Sequence, residues 1–529
     1  MQHFAPFALA AIVALISGCA TATPSRDDDG LFHAYQIATE PAAHQTVLVG
    51  SFADGGGAQL AAIGVGSSGE RNLTLYGFDG SDWTPQHETS LPADVLYVAV
   101  AGIANRDRLV AFRDGGLYWL DPVTSAEHPI ADFPTSFSAP DDAGVPELGV
   151  VRDLNGDGRD DFLVPDLDGF WVVLQSGDGS FADPRKLGPE EPFLDANAYG
   201  DERTYREVGV TAQNMPWYLN RVHQLDFDHD GRDDLVFWNT DHFLVYRQDP
   251  SGTFAPSPDT FTTDVSFDFD GVYALAFQFG DASVPALLLG LTGRVEHRIL
   301  HGVRDLDADG VADLVILTLA GRSPLRLRGR YEVHFGRPTV DGTVFSAEVD
   351  TVVDAPGKSG GLQPWGYAAQ YFIDFDGDGT LDTAMAAVNT SLGGMLRAMV
   401  GNSIAMELSL YRLQDGRYPA KPDATRRVAS PFAPLDRRGP LFPTVLVGDV
   451  NGDRQTDLLV GDRWDQLSVF LGQPGADPYA SQAFHVPVAI PADERNARLV
   501  DLDQDAKQDV LIQHPSATEP GRMTILMAR

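Results

Sequence analysis

The chain has 529 residues, 43% hydrophobic and 21% charged, a globular rather than a disordered composition. Asp and Glu number 75 against 38 Lys and Arg, and the formal net charge of −37 excludes nucleic acid, whose phosphates need basic partners. The single cysteine excludes an internal disulfide and a cysteine zinc cluster.

Residues 1–18 carry no Lys, Arg, Asp or Glu, and their apolar run is too short to span a membrane. They lead into Ile16-Ser17-Gly18-Cys19, which resembles the lipobox of bacterial lipoproteins. The resemblance implies a signal peptide over residues 1–18, a lipid on Cys19 as the membrane attachment and, with Ala20 rather than Asp next, an outer-membrane lipoprotein of a bacterial cell envelope. Secretion is the alternative. Residues 19–30 then hold the lipidated cysteine and a flexible tether, and residues 31–529 form one domain.

Residues 31–39 read as an orphan strand, followed by two degenerate strand-and-loop units starting near Val47 and Val98. Six nine-residue loops come next, each with Asp or Asn at positions 1, 3, 5 and 9. The first holds Asp153, Asn155, Asp157 and Asp161; the second Asp226, Asp228, Asp230 and Asp234; the third Asp305, Asp307, Asp309 and Asp313. Asp374, Asp376, Asp378 and Asp382 form the fourth, Asp449, Asn451, Asp453 and Asp457 the fifth, and Asp501, Asp503, Asp505 and Asp509 the sixth. Oxygen ligands on alternate residues, with a backbone carbonyl at position 7, suit a hard cation taking six to eight oxygens, and calcium fits better than magnesium. The helix-flanked calcium hand needs a bidentate Glu at position 12. Here that position is Val164, Phe237, Ile316, Met385, Val460 and Ile512, each in a short run of strand formers, so the loops join strands. Position 6 should turn through a positive φ, as Gly158, Gly231, Gly310 and Gly379 allow. Arg454 and Ala506 stand there in the last two loops, which are expected to be weaker or empty sites beside four strong ones.

A third apolar strand and a fourth, more polar one follow the loops, in units starting near 149, 222, 301, 370, 445 and 497. Four-stranded units at this spacing predict an all-β propeller of eight blades, or seven if one degenerate unit is absorbed elsewhere. The last unit supplies only three strands, so the orphan strand at 31–39 is expected to complete it and close the ring.

The run Val445-Leu-Val-Gly-Asp-Val-Asn-Gly-Asp-Arg-Gln-Thr-Asp-Leu-Leu-Val-Gly461 resembles the FG-GAP repeats of integrin alpha propellers and the related bacterial VCBS-type repeats. The resemblance covers residues 31–529. It implies a calcium-binding propeller and marks the Asp and Asn positions as ligands, but leaves the biochemical role open.

In such a ring the acidic loops share one face, and the long connections 188–219, 264–296, 355–367 and 389–405 belong to the other. Tyr199, Tyr205, Trp217, Tyr218 and Trp365 lie in them among charged residues, a mixture suited to a glycan or a protein segment. Trp119, Trp171 and Trp238 fall in predicted strands and read as core. The expected function is a monomeric, lipid-anchored, calcium-stabilised binding module without catalysis. The alternatives are a polysaccharide lyase or hydrolase, using acid and base groups among Glu190, Glu191, Asp201, Glu202, Arg203 and Arg206, or an envelope scaffold. No catalytic residue is assigned.

Overall fold

The structure is a computed structural model and describes residues 30–529 apart from 189–218, 268–294, 363–369, 390–402, 432–443 and stretches of at most six residues. The strands form an eight-bladed β-propeller of antiparallel sheets. Blades 1 to 7 span residues 44–90, 95–132, 151–187, 222–261, 295–354, 361–431 and 445–486. Blade 8 takes Ala497–Val500, Asp509–His514 and Arg522–Ala528 from the C-terminal end and Phe32–Ala38 as its fourth strand. The closing register runs from Phe32 opposite Ala528 to Ala38 opposite Arg522.

Burial follows position in the blade. A second strand is covered by neighbours on both faces and so reads as a continuous apolar run rather than an alternating one. Every residue of Asp161–Asp166 and of Asp509–His514 is buried. The fourth strand of blade 1, Trp83–Ser90, lies on the rim and is mostly exposed. The cores lie between blades: Leu48 and Val98 share one across blades 1 and 2, Phe112, Phe162 and Phe237 one across 2, 3 and 4, and Val236 and Ile316 one across 4 and 5. Further shared cores join Val333 to Met385, Leu408 to Val460, Leu459 to Ile512, and Leu511 to Val47, so the ring has no gap. Arg498 of blade 8 adds a polar clasp, donating to the Val47 carbonyl at 2.5 Å and pairing with Glu147 at 2.7 Å.

Blades 5 and 6 depart from the sequence expectation. The first strand of blade 5 starts at Val295, ahead of the expected 301, and carries an irregularity between Leu300 and Gly302. Its third and fourth strands are joined by an extra hairpin, Gly336–Thr339 with Gly342–Phe345, instead of a short turn. In blade 6 the second strand, Asp382–Asn389, is long enough to pair with two separate segments, Gly361–Leu362 and Gln370–Ile373. Trp238 is buried, and Trp119 and Trp171 are half-buried against the core of blades 2 to 4.

Candidate metal centres

All six acidic loops connect the first and second strands of their blades, from blade 3 to blade 8. The six position-12 residues are at most 1% exposed, and each anchors its second strand in an inter-blade core.

One hydrogen-bond scheme builds every loop. The position-6 N–H turns back to the position-1 carboxylate: Gly158 to Asp153, Gly231 to Asp226, Gly310 to Asp305, Gly379 to Asp374, Arg454 to Asp449 and Ala506 to Asp501, at 2.7–3.1 Å. The turn needs a left-handed backbone, and Arg454 at φ 66° and Ala506 at φ 68° adopt it as the glycines do. The last two loops therefore close in the same geometry as the first four, with a conformational cost in place of a different shape. Position 4 is left-handed as well, at Gly156, His229, Ala308, Gly377, Gly452 and Gln504, a requirement the ligand spacing did not signal.

Position 9 does more than face the loop. Asp161 accepts the Leu154 N–H at 3.0 Å and the Gln175 N–H at 2.7 Å, so one carboxylate ties the loop to the exit of the third strand. Asp234, Asp313, Asp382, Asp457 and Asp509 make the same two bonds, to Phe227 and Gln248, Leu306 and Gly336, Phe375 and Leu413, Val450 and Gly472, and Leu502 and Ala528. All six side chains are at most 1% exposed. Burial, reinforced by nearby aspartates and opposed by these N–H groups, pushes the carboxyls of Asp161, Asp313 and Asp382 up to about 7 and those of Asp234, Asp457 and Asp509 up to about 6.

The loops gather oxygen atoms tightly. One carboxylate oxygen from each of Asp226, Asp228 and Asp230 lies within 4.8 Å of the others, and the sets Asp305/Asp307/Asp313, Asp374/Asp376/Asp382 and Asp501/Asp503/Asp509 do the same. Asn155 and Asn451 replace the position-3 carboxylate in the other two loops, where their Oδ1 atoms accept the N–H of Asp157 and Asp453. Asp228 Oδ1 and Asp307 Oδ1 are buried and accept no hydrogen bond. A buried oxygen without a donor is costly unless a cation meets it, so the donor set fits a hard, oxygen-seeking ion.

Neighbouring blades lean on these loops. Gly342 of the blade 5 hairpin leaves no room for a Cβ beside the Phe227 ring, and Thr343 Oγ1 lies 3.3 Å from His229 Nε2 at position 4 of the blade 4 loop. Gly252, in the outer turn of blade 4, lies close over Asn155 of the blade 3 loop, where an added Cβ would stand 3.1 Å from Asn155 Nδ2.

Cys19 and the aromatic candidates Tyr199, Tyr205, Trp217, Tyr218 and Trp365 lie outside the described residues.

The chain matches no family model. It matches no curated protein either. Solved structures with similar folds include the Agrocybe aegerita lectin that recognises non-reducing terminal N-acetylglucosamine, at 14% identity over 73% of this chain and 80% of that one, with a TM-score of 0.36. The V. cholerae biofilm matrix protein Bap1 aligns at 10% identity over 93% of this chain and 89% of its own, with a TM-score of 0.38. Sqt1 of Saccharomyces cerevisiae aligns at 9% identity over 93% and 100%, with a TM-score of 0.39. Likeness at this level carries no functional argument.

Proposed function

We propose that the protein is a calcium-stabilised propeller of the FG-GAP type, held at a bacterial cell envelope by a lipid on Cys19, that acts as a non-enzymatic binding module for a protein or glycan. The supporting observation is the recurrence of one acidic loop, closed by the same backbone bond, in six consecutive blades, with three carboxylate oxygens gathered within 4.8 Å in four of them. In each loop the side chains at positions 1, 3, 5 and 9, with the position-7 carbonyl, would hold the ion. Bound calcium supplies positive charge that offsets the repulsion among carboxylates within 4.8 Å of one another. The chain's own part is to hold the carboxylates at positions 1, 5 and 9 in place through backbone N–H groups.

This division of labour makes the acidic face a scaffold and assigns recognition to the opposite face. The sequence assigns the long connections that carry Tyr199, Tyr205, Trp217, Tyr218 and Trp365 to that face, and these are the proposed contact residues. Two measurements test the reading. Saturating calcium is expected to raise the melting temperature by many degrees over the same protein in EDTA, and superimposable melts would remove the calcium claim. A capture experiment is expected to lose its partner when residues 190–216 are deleted; an unchanged catch would move recognition elsewhere.

A further inference from the structure

We propose that Arg247 and Arg412 are resident counter-ions that keep the acidic loops of blades 4 and 6 closed without metal. These loops then fill late with calcium, after the blade 5 loop. The inference rests on the calcium reading above.

The two arginines occupy the same place in their blades. Each directly precedes the residue whose N–H ties the position-9 carboxylate, Gln248 for Asp234 and Leu413 for Asp382. From there each reaches the position-3 carboxylate of its own loop. Arg247 pairs with Asp228, and its Nε also meets Asp259 at 2.6 Å. Arg412 Nε lies 3.3 Å from Asp376, and its Nη2 donates to the Gly475 carbonyl in blade 7. In blades 3, 5, 7 and 8 that place holds Leu174, Phe335, Leu471 and Met527, none of which carries charge.

Other cations widen the contrast. Arg232 pairs with Asp230, so two guanidinium groups meet the four ligand aspartates of the blade 4 loop. Arg159 pairs with Asp157 in blade 3, and Lys507 with Asp505 in blade 8. The blade 5 loop has four aspartates, and among the described residues no cationic side chain pairs with any of them. Position 7 there is Val311, where the loops of blades 3, 4 and 8 carry Arg159, Arg232 and Lys507.

A guanidinium on a ligand carboxylate offsets charge that an incoming divalent ion would otherwise meet in full. The same pair stabilises the empty loop, so removing it should raise calcium affinity and lower metal-free stability together. A partly exposed pair of this kind corresponds to roughly a fivefold change in affinity.

Calcium titration of the purified protein, followed through the backbone amides of Gly231 and Gly310, reads the blade 4 and blade 5 loops separately. The Gly310 midpoint is expected at lower calcium than the Gly231 midpoint. Arg247→Gln should lower the Gly231 midpoint about fivefold, leave Gly310 in place and reduce the melting temperature in EDTA, while Arg247→Lys stays near the parent. A Gly231 midpoint that rises would make Arg247 an orienting partner of Asp228 and overturn the proposal, as would one that does not move. If neither amide responds to calcium, the calcium reading itself fails.

Discussion

The carboxylate of Asp161 and the backbone N–H of Gln175 meet at 2.7 Å, joining the start of the second strand of blade 3 to the end of its third. Asp161→Asn places an amide NH2 or a single oxygen where two N–H donors converge, leaving one donor unpaired. A loss of about 1–3 kcal/mol is expected in EDTA, where only the tie is lost, and a larger one in calcium, where a ligand carboxylate is lost as well. Asp157→Asn changes an exposed group whose Oδ1 still accepts the Arg159 N–H, so in EDTA it should cost less than about 0.5 kcal/mol. Denaturant melts of both variants in both buffers separate tie from ligand.

The sixth loop is the most strained of the set, with Gln504 at φ 62° and Ala506 at φ 68°. Ala506→Gly is expected to stabilise the protein by about 1 kcal/mol, because glycine relieves the left-handed cost by more than it adds unfolded-chain entropy. Gly158→Ala should do the reverse by a similar amount. No atom would meet its added Cβ within 4 Å, so the cost is conformational alone. Equilibrium unfolding of the two variants gives opposite signs if the backbone assignment is right.

The raised position-9 carboxyls set a pH dependence for the metal-free protein. Their folded values of about 6 to 7 stand above the reference 3.8, so the neutral form is favoured in the fold. The stability they contribute is complete below the unfolded value and is lost as pH rises through the folded ones. In EDTA the protein should therefore melt higher near about pH 5 than near about pH 8. With saturating calcium the order should reverse, since protons then compete with the ion for the same oxygens. Calorimetry across this range, with and without calcium, reads both slopes.

Ring closure rests on seven residues. Deleting residues 1–38 leaves Arg522–Ala528 as an open apolar edge, which should pair with a second molecule. Light scattering is expected to show dimers or larger species. Ile37→Ala, which empties a buried position at the shared core of blades 8 and 1, should cost about 2–4 kcal/mol without changing the oligomeric state. A truncated chain that stays monomeric with an unchanged melt would remove the closing role from this strand.

Much of the architecture was legible because ligand spacing and strand patterning repeat together. The apolar position-12 residues placed every loop between strands, and the three-stranded last unit pointed to its missing partner near the N-terminus. Other features left no local signal. Nothing in a pattern of aspartates says that position 4 must be left-handed, since Ala308 and Gln504 adopt that conformation without glycine. The double duty of Asp161 depends on Gln175, which lies beyond the loop across two strands. The pairing of Arg247 with Asp228 requires knowing where the third strand ends. The hairpin over Phe227 and His229 uses residues of the following blade, so only the ring brings them together.

The strand Phe32–Ala38 precedes every other described strand, yet its one sheet partner among the described residues, Arg522–Ala528, follows all of them. Blades 1 to 7 can each form from contiguous sequence as synthesis proceeds, but blade 8 cannot. The propeller thus stays an open arc until residues 522–528 have been made, and the closing step joins Phe32 to Ala528 across seven intervening blades. During that interval the unpaired leading strand is the segment most in need of protection from other chains.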